Sequence, residues 1–587
     1  MGSPRSGARL AAVVPIAALL IGALTGCGRT TPTPTQPTAP GIQPNPTGTL
    51  PIANEKASLR VILLRDERIA SYVYGENAFT TWLEDRTGVQ VEFILYPENL
   101  GMYSPEWMFS GSDIYLGPID RCLADHYGAE GQLLPLESLI GRYAGNLSAQ
   151  EERIPWLRSA VTAPDGHVYA LPLAVQDDVL DPDTIGMRMW IHQGFLDAYG
   201  GSMPATTEEL RAFLLWVRDA DANGNGDPAD EIGWSGSEKT SVQYARPTEF
   251  LMNAFSLQDR DGYAIRNGAV RCALIEDNYR DGLRYLNGLM EAGLMDTEYP
   301  SHDGNSLRAR IEQNGGDTVA CVSACRLSSL SDDPVVQAKY VCLPPLAGPD
   351  GQARTYGDPF AGVRYDARFL NPDATGSYRT RGSAAAMISP ECADPGLAMA
   401  WLDALYDPEV LLRASFGEPG ADWQSPAAGN VAADGGPTRA EILRDRWMAQ
   451  SSGFWGESFP LLFQGSTTSQ VLLPAAADPA LAAECAAARV YEPYAVPCAL
   501  PPFALDRDTQ VQVNEWRTNI GDYNRSAVTD FIYGNLDIDD DAVWTNYTEA
   551  IRALGLDEYL ATMQAAYDRD WRDVYPEVYT PVPTRTE

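Results

Sequence analysis

The stretch Asp219-Ala220-Asp221-Ala222-Asn223-Gly224-Asn225-Gly226-Asp227-Pro228-Ala229-Asp230-Glu231-Ile232 is where residue type and spacing speak most directly of chemistry. Asp221, Asn223 and Asn225 place oxygen side chains at alternate positions, and Gly226 then permits a sharp turn. This is the pattern of the first half of an EF-hand loop, in which hard oxygens surround Ca²⁺ at about 2.4 Å. The second half departs from it. The twelfth residue counted from Asp221 is Ile232, and the carboxylates come earlier, at Asp230 and Glu231. The reading is a one-loop Ca²⁺ site formed by Asp221, Asn223, Asn225, Asp227, Asp230 and Glu231, acting as a structural clip and not a catalytic centre. The competing reading is a metal-free surface turn, which Asn and Gly also favour.

Other chemistry is poorly marked. The only histidines are His126, His167, His192 and His302, with no H-E-x-x-H among them, so a zinc protease site is not encoded. No nucleophile elbow accompanies any serine. A glycoside hydrolase would need two carboxylates about 5.5 or 6.5–9.5 Å apart; 79 acidic residues allow such a pair, but no local motif marks one. Beyond Cys27 there are eight cysteines, an even number that in an exported chain points to disulfides. Cys321 and Cys325 lack a histidine cluster and read as a disulfide or as buried thiols. The aromatic content, 13 Trp and 28 Tyr, suits a sugar-binding cleft, where rings cover C–H faces and polar groups meet hydroxyls. The candidate ligand contacts are Trp190, Trp234, Trp423 and Trp455, with Asp113, Glu418 and Asp422 as polar partners. A tryptophan in a chain of this length is more often core than platform.

The elements that must position these groups alternate along the chain. Leu59–Leu64 reads as a strand, Asn77–Thr87 has helical spacing at Phe79, Trp82 and Leu83, and Val89–Phe93 alternates like a strand. This β-α-β opening predicts an α/β lobe with a partly parallel sheet. Thr206-Thr207-Glu208-Glu209 carries the signature of a helix start. Asp541–Leu554 and Leu556–Tyr567 read as amphipathic helices joined at Gly555.

Residues 1–26 read as an export signal ending in Leu24-Thr25-Gly26-Cys27, which resembles a bacterial lipobox with Cys27 as the lipidated residue. Residues 27–56 read as a Pro/Thr-rich tether, 57–571 as the folded body and 572–587 as a tail. A body of this length predicts two or more domains, interwoven because no internal linker divides it. A formal charge of -36 argues against nucleic-acid partners.

Several further stretches carry a family resemblance. They are Trp82-Leu83-Glu84-Asp85-Arg86-Thr87-Gly88-Val89, Ser110-Gly111-Ser112-Asp113-Ile114, Gly131–Leu136, Pro164–Pro172, Met189–Ile191 and Pro204–Leu210. Leu397–Tyr406, Gly417–Trp423, Leu554–Asp557 and Gln564–Arg569 continue the series. In this shared order the chain resembles family 1 extracellular solute-binding proteins, in the branch of large lipoproteins that includes alginate-oligosaccharide binders. The Ser110–Ile114 segment lacks the family's proline. The resemblance implies a two-lobed, periplasmic-binding-protein-like α/β fold (type II, cluster D-like) with hinge segments. It implies a calcium loop at Asp221–Glu231 and a non-enzymatic role. The expected function is an extracellular, lipid-anchored substrate-binding component of an ABC importer, monomeric, on the outer face of a Gram-positive cell membrane. Its partners would be an oligosaccharide and the permease subunits. The alternatives are an exported glycoside hydrolase or the ligand-binding subunit of a surface sensor.

Overall fold

The computed structural model describes residues 41–575, apart from 66–68, 74, 97–110, 119–120, 154–156, 173, 177–187, 228, 240–244, 358–383, 433–436, 444–454, 456–460 and 464–479. Cys27 and the signal segment lie outside the described residues. The expected β-α-β opening is present: β1 (Ala57–Leu64), α1 (Ala78–Thr87) and β2 (Val89–Tyr96). Asn77 starts the helix by accepting the N–H groups of Phe79 and Thr80. Gly88 ends it at φ 72°, a left-handed value that glycine adopts without a Cβ penalty. After β3 (Ile114–Pro118), α2 (Arg121–Ala129) and β4 (Leu171–Pro172), the chain leaves this first sheet.

The second sheet is built from β5 (Met189–His192), β6 (Ile232–Ser235), β9 (Val319–Ser323) and β10 (Tyr340–Leu343). Between them lie α3 (Gln193–Tyr199), α4 (Thr207–Asp219), the hairpin β7 (Tyr263–Arg266) and β8 (Ala269–Cys272), and α5 (Asp277–Glu291). The chain then returns to the first sheet with β11 (Ala384–Ile388), followed by α6 (Pro395–Ala404) and α7 (Pro408–Phe416). Helices α8 (Leu481–Tyr491), α9 (Arg507–Ile532), α10 (Asp541–Ala553) and α11 (Leu556–Asp570) complete it.

The first sheet has the order β2-β1-β3-β11-β4, with β1 parallel to β2 and β3 and with β11 antiparallel to both its neighbours. The second has the order β10-β5-β9-β6, in which only β9 and β6 run parallel. Both faces of β1 are covered: Leu59, Val61 and Leu63 pack into the main core, and Ile62 packs with Tyr115 and Met387 on the other side. That explains its nearly unbroken apolar run. The long helix α9 packs on α5 and also reaches α2, where Arg507 Nη1 lies 3.5 Å from His126 Nε2.

Two expectations change. The segment assigned to the tether docks onto the body from Ile42 onwards. Ile42 N–H donates to Asp394 Oδ1 (2.7 Å), Thr47 Oγ1 donates to the Arg142 carbonyl (3.0 Å), and Ile52 and Ala53 are buried. Apolar residues within a Pro-rich run find a packed surface, and this part ceases to be an extended stalk. The expected disulfides are also absent at Cys272, Cys342 and Cys392, which are free thiols, and Cys321 is a buried free thiol, one of the two readings its sequence left open. Burial pushes the thiols of Cys272, Cys342 and Cys392 up to about 12, so they stay protonated and unreactive. Among the described residues no helix is long and apolar enough to cross a membrane.

Candidate functional site

The oxygen-rich loop follows α4 directly. Thr206 caps that helix by accepting the Glu209 N–H (3.1 Å), and the Glu209 carboxylate accepts the Ala205 N–H in return (2.7 Å). Beyond the helix, the loop is folded by its own side-chain oxygens. Gly226 N–H donates to Asp221 Oδ2 (2.8 Å), Asn225 N–H to Asn223 Oδ1 (2.9 Å), Asp227 N–H to Asn225 Oδ1 (2.7 Å) and Asn223 N–H to Glu231 Oε1 (3.1 Å). Gly224 and Gly226 take φ 72° and 93°, and the second is the sharp turn the sequence anticipates. Five of the six expected ligands thus share one short bonded loop. The sixth, Asp230, joins them by accepting the side-chain amides of Asn223 (3.1 Å) and Asn225 (2.7 Å).

The loop fits a hard cation on one direct observation. Glu231 Oε2 is buried with no hydrogen-bond partner. Burial, reinforced by the nearby Asp230 charge, pushes the Glu231 carboxyl above its ordinary value. An orphaned carboxylate oxygen beside Asp221, Asn223 and Asn225 is the donor chemistry that Ca²⁺ takes. Sequence reasoning missed how the loop is anchored. Asn223 Nδ2 donates to the Asp317 carbonyl (3.0 Å), and Asn314 Nδ2 donates to Asp230 Oδ2 (2.5 Å). Asp317 in turn meets Lys339 Nζ (2.6 Å) and His192 Nε2 (3.0 Å). The loop is therefore tied to the entry of β9 and, through Asp317, to the end of β5.

A second acidic group, Asp296, Glu298 and His302, brings its ligating atoms close together. Its carboxylates are already partnered: Arg310 reaches Asp296 through Nε (3.1 Å) and Nη2 (3.2 Å) and Glu298 through Nη2 (3.0 Å), and Ser235 Oγ donates to Asp296 (2.8 Å). A guanidinium stands where a cation would be needed.

The candidate ligand contacts fare differently. Trp190 on β5 and Trp234 on β6 are interior residues of the second sheet, and their indole N–H groups are engaged by the Ala324 carbonyl (3.0 Å) and Ser323 Oγ (3.3 Å). Trp455 is fully buried among Tyr72, Phe79 and Phe93, with ring centroids 5.2–5.7 Å away. Trp423 packs with Phe416, Ala440 and Ile442 and donates to the Gly417 carbonyl (2.8 Å). As platforms Trp190, Trp234 and Trp455 are corrected, since rings at most 1% exposed offer no face to a sugar, while Trp423 keeps 9% of its surface exposed. The all-buried run Met189-Trp190-Ile191-His192 was the available signal, since a strand without polar alternation is covered on both faces.

Asp113 precedes β3 and accepts the Arg60 N–H (2.7 Å), binding the middle of β1 to the start of β3. Ligand crevices in open α/β sheets lie beyond the strands' carboxyl ends. Those ends lead into residues 66–68, 97–110 and 119–120, outside the described residues. Glu418, Asp422 and Trp423 do come together in one loop: Glu418 N–H donates to Asp422 Oδ2 (2.8 Å), and Arg413 Nη1 approaches Glu418 Oε2 (3.4 Å). Burial pushes the Glu418 carboxyl up.

Comparison with known proteins bears on this architecture. No family model matches the chain. It is 28% identical over 355 residues to the fructooligosaccharide ABC transporter substrate-binding protein FusA of Streptococcus pneumoniae. That alignment covers 58% of this chain and 60% of the relative, less than two thirds of its length. Among solved structures, S. pneumoniae FusA in complex with kestose superposes with a TM-score of 0.60 at 23% identity, over 87% of this chain and 99% of that one. An extracellular solute-binding protein from Bifidobacterium longum subsp. infantis superposes at 0.67 and 17% identity, over 88% and 99%. The expected resemblance to solute-binding proteins is borne out in the fold, which is the two-lobed α/β fold of those proteins.

Proposed function

We propose that this chain is the substrate-binding component of an ABC importer, exported and anchored through Cys27, that captures an oligosaccharide between its two lobes. The observation that carries the reading is the whole-length superposition on a sugar-bound substrate-binding protein, kept over 87% of this chain. A two-lobed fold converts binding into a signal because a ligand touching both lobes favours their closed arrangement. Permease subunits would read that closed form. No hydrolytic step is part of this reading, since a transport protein must release its cargo intact.

The loop Asp221–Glu231 would hold Ca²⁺ through Asp221, Asn223, Asn225, Asp227, Asp230 and Glu231. S. pneumoniae FusA has been studied as an EF-hand mutant, which supports the same assignment here. Bound calcium would supply a fixed positive charge that joins these oxygens and holds the end of α4 to the entry of β9. It takes no part in binding sugar.

A thermal-shift titration of the folded body against neutral and acidic oligosaccharides tests the reading. At 100 times its Kd a ligand adds about 2.7 kcal/mol of stability. A saturable rise for one glycan class, with the glycan recovered intact, is the expected result. Cleaved glycan would replace the transport reading with the hydrolase, and a flat response to every glycan would remove carbohydrate as the substrate class.

A further inference from the structure

Residues 41–54 lie along the part of the molecule built on the first sheet and bond to it at three evenly spaced points. Ile42 N–H donates to Asp394 Oδ1 (2.7 Å), Thr47 Oγ1 to the Arg142 carbonyl (3.0 Å) and Ile52 N–H to the Thr87 carbonyl (2.7 Å). Thr87 ends α1, Asp394 precedes α6, and Arg142 lies in the helix Glu137–Tyr143, which packs on α6. Between these points the segment is bonded to itself. Asn45 N–H donates to the Ile52 carbonyl (2.7 Å), Asn45 Nδ2 to the Pro51 carbonyl (2.8 Å) and Asn54 Nδ2 to Asn45 Oδ1 (2.7 Å). Ile52 and Ala53 join the main core.

The surface beneath is shaped to receive the segment. A Cβ at Gly145 would stand 2.5 Å from Thr47 Cγ2, and a Cβ at Gly41 would stand 1.9 Å from Asp394 Oδ1. Glycine at both positions lets chain and surface close to this distance. Docking also sets how far the body can stand from Cys27. Fourteen residues separate Cys27 from Gly41, and thirty separate it from Ala57, where β1 begins. Fully extended, the shorter stretch spans at most about 50 Å and the longer about 100 Å. A body of this length is about 60 Å across when compact. A tether of 100 Å would let any side of the body meet a bilayer. One of 50 Å cannot reach around the body, so the side that carries Gly41 cannot face away. Electrostatics supplies no competing orientation, because a chain of formal charge -36 gains nothing by lying on an anionic bilayer.

We infer that residues 41–54 are a mount that turns the face around Asp394 and Arg142, on the first-sheet part of the body, toward the lipid bilayer. The inference rests on the reading that Cys27 is the membrane anchor.

Energy transfer in the full-length lipidated protein tests it, in vesicles of phosphatidylcholine and phosphatidylglycerol with an acceptor dye on the headgroups. One donor dye is placed at the exposed Glu391, beside the docking point, as Glu391→Cys. A second is placed at the exposed Val335, before β10 of the second sheet, as Val335→Cys. Transfer from Glu391→Cys should exceed that from Val335→Cys severalfold. A fourteen-residue Gly/Ser insertion after Cys27 leaves the body untouched and restores a reach of about 100 Å, and the ratio should fall toward one. Gly145→Leu, which crowds Thr47, should lower the ratio too and open the Ile52 N–H to hydrogen exchange. Equal transfer from both dyes in the wild type overturns the mount and leaves the anchor standing. A ratio that survives the insertion assigns the orientation to another cause and overturns the mount as well. Mass spectrometry that finds Cys27 without a diacylglyceryl group overturns the anchor first, and the mount with it.

Discussion

The backbone N–H of Gly226 donates to Asp221 Oδ2 at 2.8 Å, closing the turn that gathers the loop's oxygens. Gly226 holds φ 93° with open space where a Cβ would stand. Substitution there costs backbone strain and not a clash. Gly226→Ala should therefore lose about 1–2 kcal/mol, and Asp221→Ala should lose both a ligand and the turn's acceptor. With calcium present, a chelator should lower the melting temperature of the wild type and leave that of Asp221→Ala unchanged. A wild type indifferent to chelator would show the loop to be a metal-free turn.

Glu231 gives a sharper test of the same loop. Its Oε2 is buried without a partner while its Oε1 accepts the Asn223 N–H. Glu231→Gln keeps the shape and an acceptor but removes the charge. Without calcium the variant should be as stable as the wild type or slightly more so, because an uncompensated buried charge is costly. With calcium it should be the weaker of the two, and calcium affinity measured by titration should drop at least tenfold. Equal affinities would exclude Glu231 as a ligand.

Trp190 and Trp234 divide core from cleft. Each is enclosed in the second sheet with its N–H bonded. Trp190→Ala should cost about 3–5 kcal/mol, as other large-to-small core changes do. The protein that remains folded should keep its sugar affinity. A variant with native melting behaviour and lost affinity would return Trp190 to the ligand site.

The oxygen-rich loop was legible because its chemistry is local. Within eleven residues the side chains that fold the turn are those that would bind the ion, and Asx and glycine preferences act at short range. The terminal helix pair was legible for the same reason: period, with Gly555 at φ 97° between α10 and α11. The tryptophans were not, because whether a ring faces core or cleft depends on partners far along the chain. Trp190 meets Ala324, and Trp455 meets Phe79. Nor could composition indicate that Ala384–Ile388 would insert beside β3, some 270 positions earlier in the chain. The tether's docking on Asp394 and Arg142 is tertiary in the same sense.

Glu238 makes stability depend on pH in a direction opposite to that of most carboxylates. It follows β6 and lies 3.4 Å from Arg246 Nε, in a small polar cavity also lined by Glu249, Arg260, Arg525 and Tyr279. Burial pushes its carboxyl up to about 7, with Arg246 opposing and Glu249 adding to the rise. Glu84 is raised to about 7 as well, chiefly by burial. Between the ordinary value of 4.5 and about 7, each holds a proton in the folded chain that the unfolded chain has released. Stability must then fall as pH rises through that window, and these groups add no slope below or above it. A shift of this size corresponds to roughly 3 kcal/mol per group at most. Glu238→Gln keeps the cavity filled and cannot ionise. Its urea midpoint should match the wild type near pH 4.5 and exceed it at pH 7.5, with Glu84→Gln adding a further, independent gain. If Glu238→Gln is no more stable than the wild type at pH 7.5, Arg246 already pays the full cost of the buried charge, and the cavity holds an ordinary ion pair.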